Sequence, residues 1–297
     1  MQVRAMLMLG VALLVSSAAV GQTAFDAASE RGRYVFDAAG CPSCHTDEKA
    51  GIPPLAGGPP LDTGFGTFYA PNITPDPNFG IGAWREAEFI TAMREGVSPD
   101  GTPYYPSFPY TSFTKMTDED LRDLWAYLRT VPPVSRVSTG HQLSFPFSVR
   151  WALAAWKWLY FKPGQWQPDP ALNDEQNRGA YLVQAVAHCG ECHTPRTALG
   201  GLDHARWLAG ARMPDDGRAA PNLTSGADGL ADWSVNDIAF ALEIGETPEG
   251  GAFEGEMAKV VRNSTSRLFK ADRLAIARYL KTVPPLGPDE RASPAGR

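Results

Sequence analysis

The chain has 297 residues, of which 43% are hydrophobic, and this length suits one large domain or two of ordinary size. Its formal net charge is −6, and no run of Lys or Arg offers the clustered positive charge that nucleic-acid phosphates require, so we expect no nucleic-acid partner. The 29 Gly and 26 Pro residues predict many loops between short helices.

The N-terminal residues 1–21 have the three parts of a secretory signal peptide. Arg4 supplies positive charge, an apolar stretch follows over residues 5–15, and small residues end at Gly21, with Ala19 as the alternative cleavage site. The apolar stretch is short for a bilayer span. We therefore expect a periplasmic protein that has no transmembrane anchor once the signal peptide is removed.

Next along the chain, a predicted helix leads into the sequence CPSCH, and a second helix later leads into CGECH. These motifs use all four cysteines and place a histidine after each pair: Cys41, Cys44 and His45, then Cys189, Cys192 and His193. C-x-x-C-H is the attachment signature of c-type haem, in which the thiols form thioethers with the vinyl groups and the imidazole binds the iron from the proximal side. We therefore predict two covalently bound haem c groups.

Three other uses of four cysteines are compatible with the spacing. A zinc site built from two C-x-x-C pairs needs no histidine after each pair. A thioredoxin-like pair usually occurs once, beside a βαβ pattern that is absent from this sequence, and an exported protein with an even number of cysteines can form disulfides. Two complete copies behind an export signal favour haem over all three.

The sequence around the motifs is itself duplicated. RGRYVFDAAGCPSCHT, from Arg31, matches RGAYLVQAVAHCGECHT, from Arg178, and both halves end in a predicted helix followed by TVPP. We therefore predict an all-α fold of two tandem class I-type cytochrome c domains, residues 22–134 and 174–297. An aromatic and proline-rich connecting segment, residues 135–173, lies between them.

The first and last helices of each half are predicted to cross closely. Gly32 and Gly179 have no side chain and could permit this close approach. The last helix of the first half is predicted to begin after Thr117, which can cap it. Apolar residues then recur at helical spacing until Pro132 and Pro133 stop the helix.

Between the first motif and its last helix the chain reads PPLAGG, GTFYAPNITPDPNFGIGAW and YPSFPYTSF. This order of pieces resembles the multihaem cytochrome c subunits of bacterial membrane-associated alcohol and gluconate dehydrogenases, over nearly the whole chain after the signal peptide. The resemblance implies a protein that takes single electrons from a dehydrogenase and passes them to a cytochrome or a terminal oxidase. Those subunits have three haems and a C-terminal anchor, whereas this chain has two motifs and a polar end, which implies a soluble two-haem relative.

The sixth iron ligand decides whether each haem is closed to substrate, because a methionine sulfur fills the site and raises the potential. Met257 follows a Gly- and Glu-rich stretch, and the resemblance, with GGxM and then VV at this place, implies that it binds the second iron. In the first half, Phe108 stands where relatives with YPAMPY have methionine. Relatives with YPAFPYTSFTKM imply that Met116 binds the first iron instead, whereas the spacing of Met93 suits packing.

Further side chains are candidates for the haem surroundings. Asn72, Trp84, Asn222 and Trp233 recur in the two halves and are predicted to contact haem propionates, with core packing as the alternative for the tryptophans.

Each proximal histidine is expected to donate its second ring N–H to a carbonyl. The matching loops PPLAGG and RWLAGA suggest the carbonyls near Pro54 and Trp207. His141, His188 and His204 are competing iron ligands that are more simply interpreted as surface or edge residues.

The sequence favours an electron carrier over an enzyme, because no protein acid, base or nucleophile stands out. The rival function is a diheme peroxidase with one His/Met haem and one open haem. Phe108, in place of a methionine, leaves this function possible, and Met116 argues against it. Unequal ligand loops in the two halves predict unequal haem potentials.

Overall fold

The computed structural model describes residues 25–212 and 219–286, and the predicted signal peptide lies outside them. Helices form most of the regular structure in both halves, as predicted. Two small antiparallel sheets accompany the helices, so the all-α prediction is wrong for the loops that follow each motif. The strands lie between each motif and the next long helix, and a strand of the connecting segment completes the first sheet.

The helices of the first half are α1 (25–38), α2 (Cys41–His45), α3 (Glu86–Glu95), α4 (Tyr110–Phe113) and α5 (Asp118–Leu128). Strands β1 (Pro60–Thr63) and β2 (Gly66–Tyr69) form a hairpin after α2, and β3 (Gln142–Leu143) of the connecting segment pairs with β2. The connecting segment also contains helix α6 (Ala152–Tyr160).

The second half repeats this order. Its helices are α7 (Asp174–Tyr181), α8 (Gly190–His193), α9 (Val235–Ile244), α10 (Gly255–Asn263) and α11 (Lys270–Leu280). Strands β4 (Ala211–Arg212) and β5 (Ala219–Ala220) take the place of the first hairpin.

Helix α5 begins and packs as the sequence predicts. The Thr117 hydroxyl accepts a hydrogen bond from the Asp120 N–H at 3.1 Å, which satisfies one of the free donors at the helix start. Leu121, Leu124 and Leu128 are buried on its inner side. The helix ends before the two prolines, which cannot continue it.

The first and last helices of each half touch at the predicted glycines. A Cβ atom added to Gly32 would lie 1.8 Å from the Asp123 carbonyl oxygen, and one added to Gly179 would lie 1.9 Å from the Ala275 carbonyl oxygen. No side chain fits at either contact, so the prediction of a close helix crossing is confirmed in both halves.

The second half accommodates one extra residue before its motif. Tyr181 and Cys189 are separated by one residue more than Tyr34 and Cys41. The segment Leu182–Val186 absorbs this residue as a wide turn with i→i+5 hydrogen bonds, which continues α7 into the motif.

The two halves pack against each other in a reciprocal way, and their buried apolar residues form one continuous core. The Tyr34 hydroxyl of α1 donates to Asp272 of α11 at 2.5 Å, and the equivalent Tyr181 hydroxyl of α7 donates to Asp120 of α5. Each tyrosine therefore contacts the last helix of the opposite half, at the same position before TVPP.

Candidate haem sites

Each motif histidine is oriented by a proline carbonyl. The Nδ1 atom of His45 lies 2.7 Å from the Pro71 carbonyl oxygen, and Nδ1 of His193 lies 2.8 Å from that of Pro221. The carbonyl fixes the proton on Nδ1 and leaves Nε2 as the lone-pair nitrogen that binds a metal. Burial lowers the pKa of both imidazoles although the carbonyl opposes this, so the rings are neutral near pH 7.

The prediction that the carbonyls near Pro54 and Trp207 hold the histidines is wrong. The carbonyls belong to Pro71 and Pro221, each of which precedes the asparagine of the repeated APN sequence. The recurrence of APN in both halves was the sequence signal for this contact.

The PPLAGG loop braces the motif backbone instead of the ring. The Thr46 hydroxyl accepts from the Leu55 N–H at 3.1 Å, and the Gly57 N–H donates to the His45 carbonyl at 3.1 Å. The Leu55 carbonyl in turn accepts from the Ile73 N–H at 2.9 Å, which draws the segment with the orienting carbonyl next to the ring. The loop is therefore one step removed from the imidazole.

Cys41 and Cys44 lie on α2, and Cys192 lies on α8, which Cys189 directly precedes. Burial raises the pKa of Cys41 and of Cys189 to about 12, so both thiols are neutral before they react. Within the described residues, which include Cys44 and Cys192, no group of three His, Cys, Asp or Glu side chains converges on a metal-sized site. The described residues therefore lack the joint cluster that a zinc site built from both cysteine pairs needs.

These residues fit haem c. Each motif places two unpaired thiols on one helical turn and follows them with a neutral imidazole whose Nε2 makes no hydrogen bond to a described residue. Thioether formation at the thiols and iron binding at Nε2 need this donor set.

Met116 is completely buried and lies directly before Thr117, the residue that caps α5. The Arg94 guanidinium of α3 holds this loop, since it donates to the Thr114 carbonyl at 2.8 Å, to the Met116 carbonyl at 2.8 Å and to the Asp118 carboxylate at 2.6 Å. The backbone that carries the predicted sulfur ligand is thus held at three points by one guanidinium.

The other methionines differ in their surroundings. Met257 is half-buried in the first turn of α10, and Met93 is buried in the core beside α5, as its spacing predicted. Met116 belongs to the same core as Met93, so burial alone does not distinguish an iron ligand from a packing residue. The role of Met116 as a ligand stays a prediction.

The two asparagines have partners within the protein. The Asn72 amide donates to the Val134 carbonyl at 2.8 Å and to the Arg136 carbonyl at 3.0 Å, and the Asn222 amide donates to Asp228 at 3.2 Å. These bonds fix the loop that ends in the orienting carbonyl. Contact of either asparagine with a haem propionate stays a prediction.

Trp84 and Trp233 are partly buried against the core, which fits the packing alternative, and their predicted propionate contact is untested. The histidines that compete as ligands also have protein partners. His141 accepts from the Tyr69 N–H at 3.2 Å, and the His188 ring packs edge-on against a phenylalanine at 5.3 Å between ring centroids. His204 stacks on a tryptophan at 6.1 Å.

Each motif helix is contacted by the opposite half. Asn263 of α10 donates to the Ser43 hydroxyl of α2 at 3.0 Å. In the reverse direction, Thr111 and Ser112 of α4 both donate to the Glu191 carboxylate of α8 at 2.9 Å. The segments that precede the last helices therefore cross over, and each motif helix lies against the opposite half.

Glu191, the middle residue of CGECH, is an anchor of this interface that the sequence analysis did not identify. Burial raises the pKa of its carboxyl, but Arg196 at 2.6 Å and the Ser112 hydroxyl lower it more, so the net pKa is lowered and the group is charged. A charged residue inside C-x-x-C was the only sign of it in the sequence.

The paired thiols, the oriented imidazoles and the helical fold define a c-type cytochrome with two covalently bound haem c groups. Residues 29–132 match the family model described as cytochrome c. A protein named "Diheme cytochrome c-type" from Cereibacter sphaeroides is 48% identical over 86% of this chain and 86% of its own length. The chain therefore belongs to the diheme c-type cytochromes.

Two further relatives are subunits of larger enzymes. The fructose dehydrogenase cytochrome subunit of Gluconobacter japonicus is 42% identical over 86% of this chain, and the gluconate 2-dehydrogenase cytochrome c subunit of Pantoea cypripedii is 38% identical over 94%. The chain spans 52% and 65% of the lengths of these subunits. Electron transfer is the chemistry that such cytochrome subunits share.

Proposed function

We propose that this protein is a periplasmic diheme cytochrome that carries single electrons from a dehydrogenase to a cytochrome or a terminal oxidase. The observation that carries the proposal is that each motif helix lies at the interface between the halves, where a helix of the opposite half contacts it. The dehydrogenase subunits among the relatives and the signal-peptide pattern of residues 1–21 support the donor and the compartment.

The chain is proposed to consist of two tandem cytochrome c units, residues 22–134 and 174–297, with the connecting segment 135–173 between them. The repeated helix order, the equivalent glycine contacts and the equivalent histidine–carbonyl pairs support this division. The common core and the exchanged tyrosine bonds join the proposed units to each other.

In each unit the two cysteines would hold the haem covalently, and one histidine and one methionine would bind its iron and close it to substrate. His45 and Met116 are proposed for the first iron, and His193 and Met257 for the second. The bound haem supplies reversible one-electron chemistry of iron. The protein holds the imidazole orientation through the Pro71 and Pro221 carbonyls and excludes water with the buried sulfur loop.

The test compares the oxidised protein with Met116→Leu and Met257→Leu variants. The near-infrared charge-transfer band that reports a methionine–iron(III) bond is normalised to haem content. Each variant is expected to lose about half of this band, because one of two axial sulfur ligands is gone. Met93→Leu is the matched control, since it replaces an equally buried methionine and is expected to keep the whole band.

A full band in Met116→Leu would refute the ligand assignment for the first iron. Hydrogen peroxide turnover by the unmodified protein is then the second measurement, because an open iron position is what a diheme peroxidase needs. An electron carrier with two closed haems is expected to be reduced by an artificial donor and to show no turnover.

A further inference from the structure

Helix α6 exposes an apolar side that the electron-transfer function does not explain. Trp158 is 83% exposed and Leu159 is 53% exposed, and Trp151 and Phe145, which precede the helix, are 81% and 83% exposed. Ala152, Ala154 and Ala155 fill the rest of this side. The one charged residue of the helix, Lys157, points back into the protein, where its ammonium donates to the Glu95 carbonyl. The exposed side of α6 thus carries no charge.

The same segment is basic in an acidic protein. No Asp or Glu occurs from residue 124 to residue 168, although the chain has 33 of them. Five basic residues lie in this stretch: Arg129, Arg136, Arg150, Lys157 and Lys162. Within the described part of the chain, none of these cations forms an ion pair with a carboxylate. Of these, Arg150 and Lys162 are exposed and stand just before and just after α6, so their positive charge remains available to an outside anion.

The apolar side belongs to a fixed helix rather than to a loose loop. The Trp156 indole N–H donates to the Leu199 carbonyl at 2.8 Å, and the Tyr160 hydroxyl accepts from Thr197 at 3.1 Å. Leu153 is buried in a small core with aromatic residues of the first half. Docking of the exposed side therefore costs little conformational entropy, because the helix is already ordered.

We propose that α6 with Phe145, Trp151 and Lys162, here called the α6 face, docks on an anionic phospholipid bilayer. Tryptophan and phenylalanine beside Lys and Arg are the residues that settle at the headgroup level of membranes. The missing carboxylates and the exposed cations Arg150 and Lys162 at the two ends of α6 match the negative surface of anionic lipids. The exposed alanines argue against a protein partner, since alanine is depleted in protein interfaces.

A peripheral arrangement agrees with the helix length. Within residues 25–212 and 219–286, no helix is long and apolar enough to cross a bilayer, and α6 has nine residues. The α6 face would lie in the plane of the membrane surface, where it holds the cytochrome beside membrane-bound redox partners. This inference does not depend on which residues bind the irons.

The test is co-sedimentation of the purified diheme protein, without residues 1–21, with extruded vesicles, and haem absorbance measures the bound fraction. Vesicles of phosphatidylcholine with phosphatidylglycerol are compared with vesicles of phosphatidylcholine alone, at low and high salt. We expect binding to the anionic vesicles, weakened by salt because the charge attraction is screened. The double variant Trp151→Ala/Trp158→Ala is expected to bind at least about tenfold more weakly, since both indoles lose their burial in the bilayer.

Phe240→Ala is the matched control, because this residue is 52% exposed on α9, outside the α6 face, and its loss is expected to leave binding unchanged. Lys162→Glu tests the charge and is expected to weaken binding at low salt only. Circular dichroism and the haem spectrum verify that each variant is folded.

Three results overturn the proposal. They are the absence of unmodified protein from the vesicle pellets, equal binding of the double variant and the unmodified protein, and equal loss in the Phe240→Ala control. If the unmodified protein does not bind vesicles and a dehydrogenase in solution reduces the double variant more slowly than the unmodified protein, the α6 face would be assigned to a protein partner instead. Hydrogen–deuterium exchange of residues 145–162 is the independent readout, with protection expected only on anionic vesicles.

Discussion

Replacing Arg94 by alanine would release the loop that carries Met116. The Arg94 side chain is only 15% exposed, and its guanidinium joins α3 to two carbonyls of the loop and to Asp118 at the start of α5. In Arg94→Ala the carbonyls of Thr114 and Met116 lose their charged donor, and no neighbouring side chain replaces it. Both the stability of the fold and the position of the sulfur are expected to suffer.

The size of the effect follows from the three bonds. A hydrogen bond to a charged group contributes about 1.5–3 kcal/mol, and part of this is regained when water reaches the freed groups. We therefore expect a loss of about 2–4 kcal/mol, which lowers the melting temperature by roughly 5–15 °C. Arg94→Lys should recover only part of the loss, because an ammonium cannot reproduce the planar fork of donors.

Two readouts separate stability from ligand geometry. Thermal unfolding followed by circular dichroism gives the first, and the near-infrared methionine–iron band of the folded protein at 25 °C gives the second. Arg273→Ala is the matched control, because this arginine donates to the Leu268 carbonyl in the second half. It is expected to lower stability and to leave the Met116 share of the band intact. An Arg94→Ala protein that melts like the unmodified one would refute the reasoning.

Three further outcomes follow from contacts of named groups. Gly32→Ala places a Cβ 1.8 Å from a backbone oxygen of α5 and is expected to lower stability by more than about 3 kcal/mol in denaturant titrations, whereas Gly64→Ala, with nothing within 4 Å, should be neutral. Burial raises the pKa of Asp272, but Arg178 and a tyrosine hydroxyl lower it more, so its folded-state pKa is depressed. Its contribution is complete above the ordinary carboxyl pKa and is lost as pH falls toward the depressed value, and Asp272→Asn should flatten the acid limb of a stability–pH curve. Cys44→Ser should leave the first haem with a single thioether, seen as a shifted pyridine haemochrome band, while the second haem is unaffected.

Local chemistry explains what the sequence predicted correctly. The cap at Thr117 and the glycines at the helix crossings act within a few residues or through a steric need that only one residue type meets. The orienting carbonyl was missed because Pro71 lies 26 residues from His45 and is brought there by a chain of backbone bonds through the intervening loop. Neither a proline nor a histidine in the sequence indicates such a contact.

The contacts between the halves could not be predicted for a related reason. Tyr34 and Asp272 are 238 residues apart, and each has a plausible local role in its own half. Only the three-dimensional packing shows that the partners are exchanged between Tyr181 and Asp120 in the same manner. Sequence duplication predicted two equal units and gave no indication that each unit completes the surroundings of the other motif.

The duplicated halves have kept one side of the motif and changed the other. On the proximal side, His45 and His193 meet equivalent proline carbonyls at 2.7 and 2.8 Å. On the opposite side, the loop before the last helix is held by Arg94 of α3 in the first half but by Arg273 of α11 in the second, where α9 supplies the acid Glu243 at 2.8 Å. In the first half the cation lies on α3 and the acid on α5, whereas in the second half the cation lies on α11 and the acid on α9.

The same divergence bears on the iron ligands. Met116 stands directly before the residue that starts α5, and Leu268 stands at the equivalent place before α11. A leucine cannot bind iron, so the proposed sulfur ligand of the second iron comes from another element, Met257 of α10. Because the proximal sides match, a difference in potential between the two haems should arise on the sulfur side. The variants Met116→Leu and Met257→Leu should therefore shift the haem potentials by different amounts in a spectroelectrochemical titration.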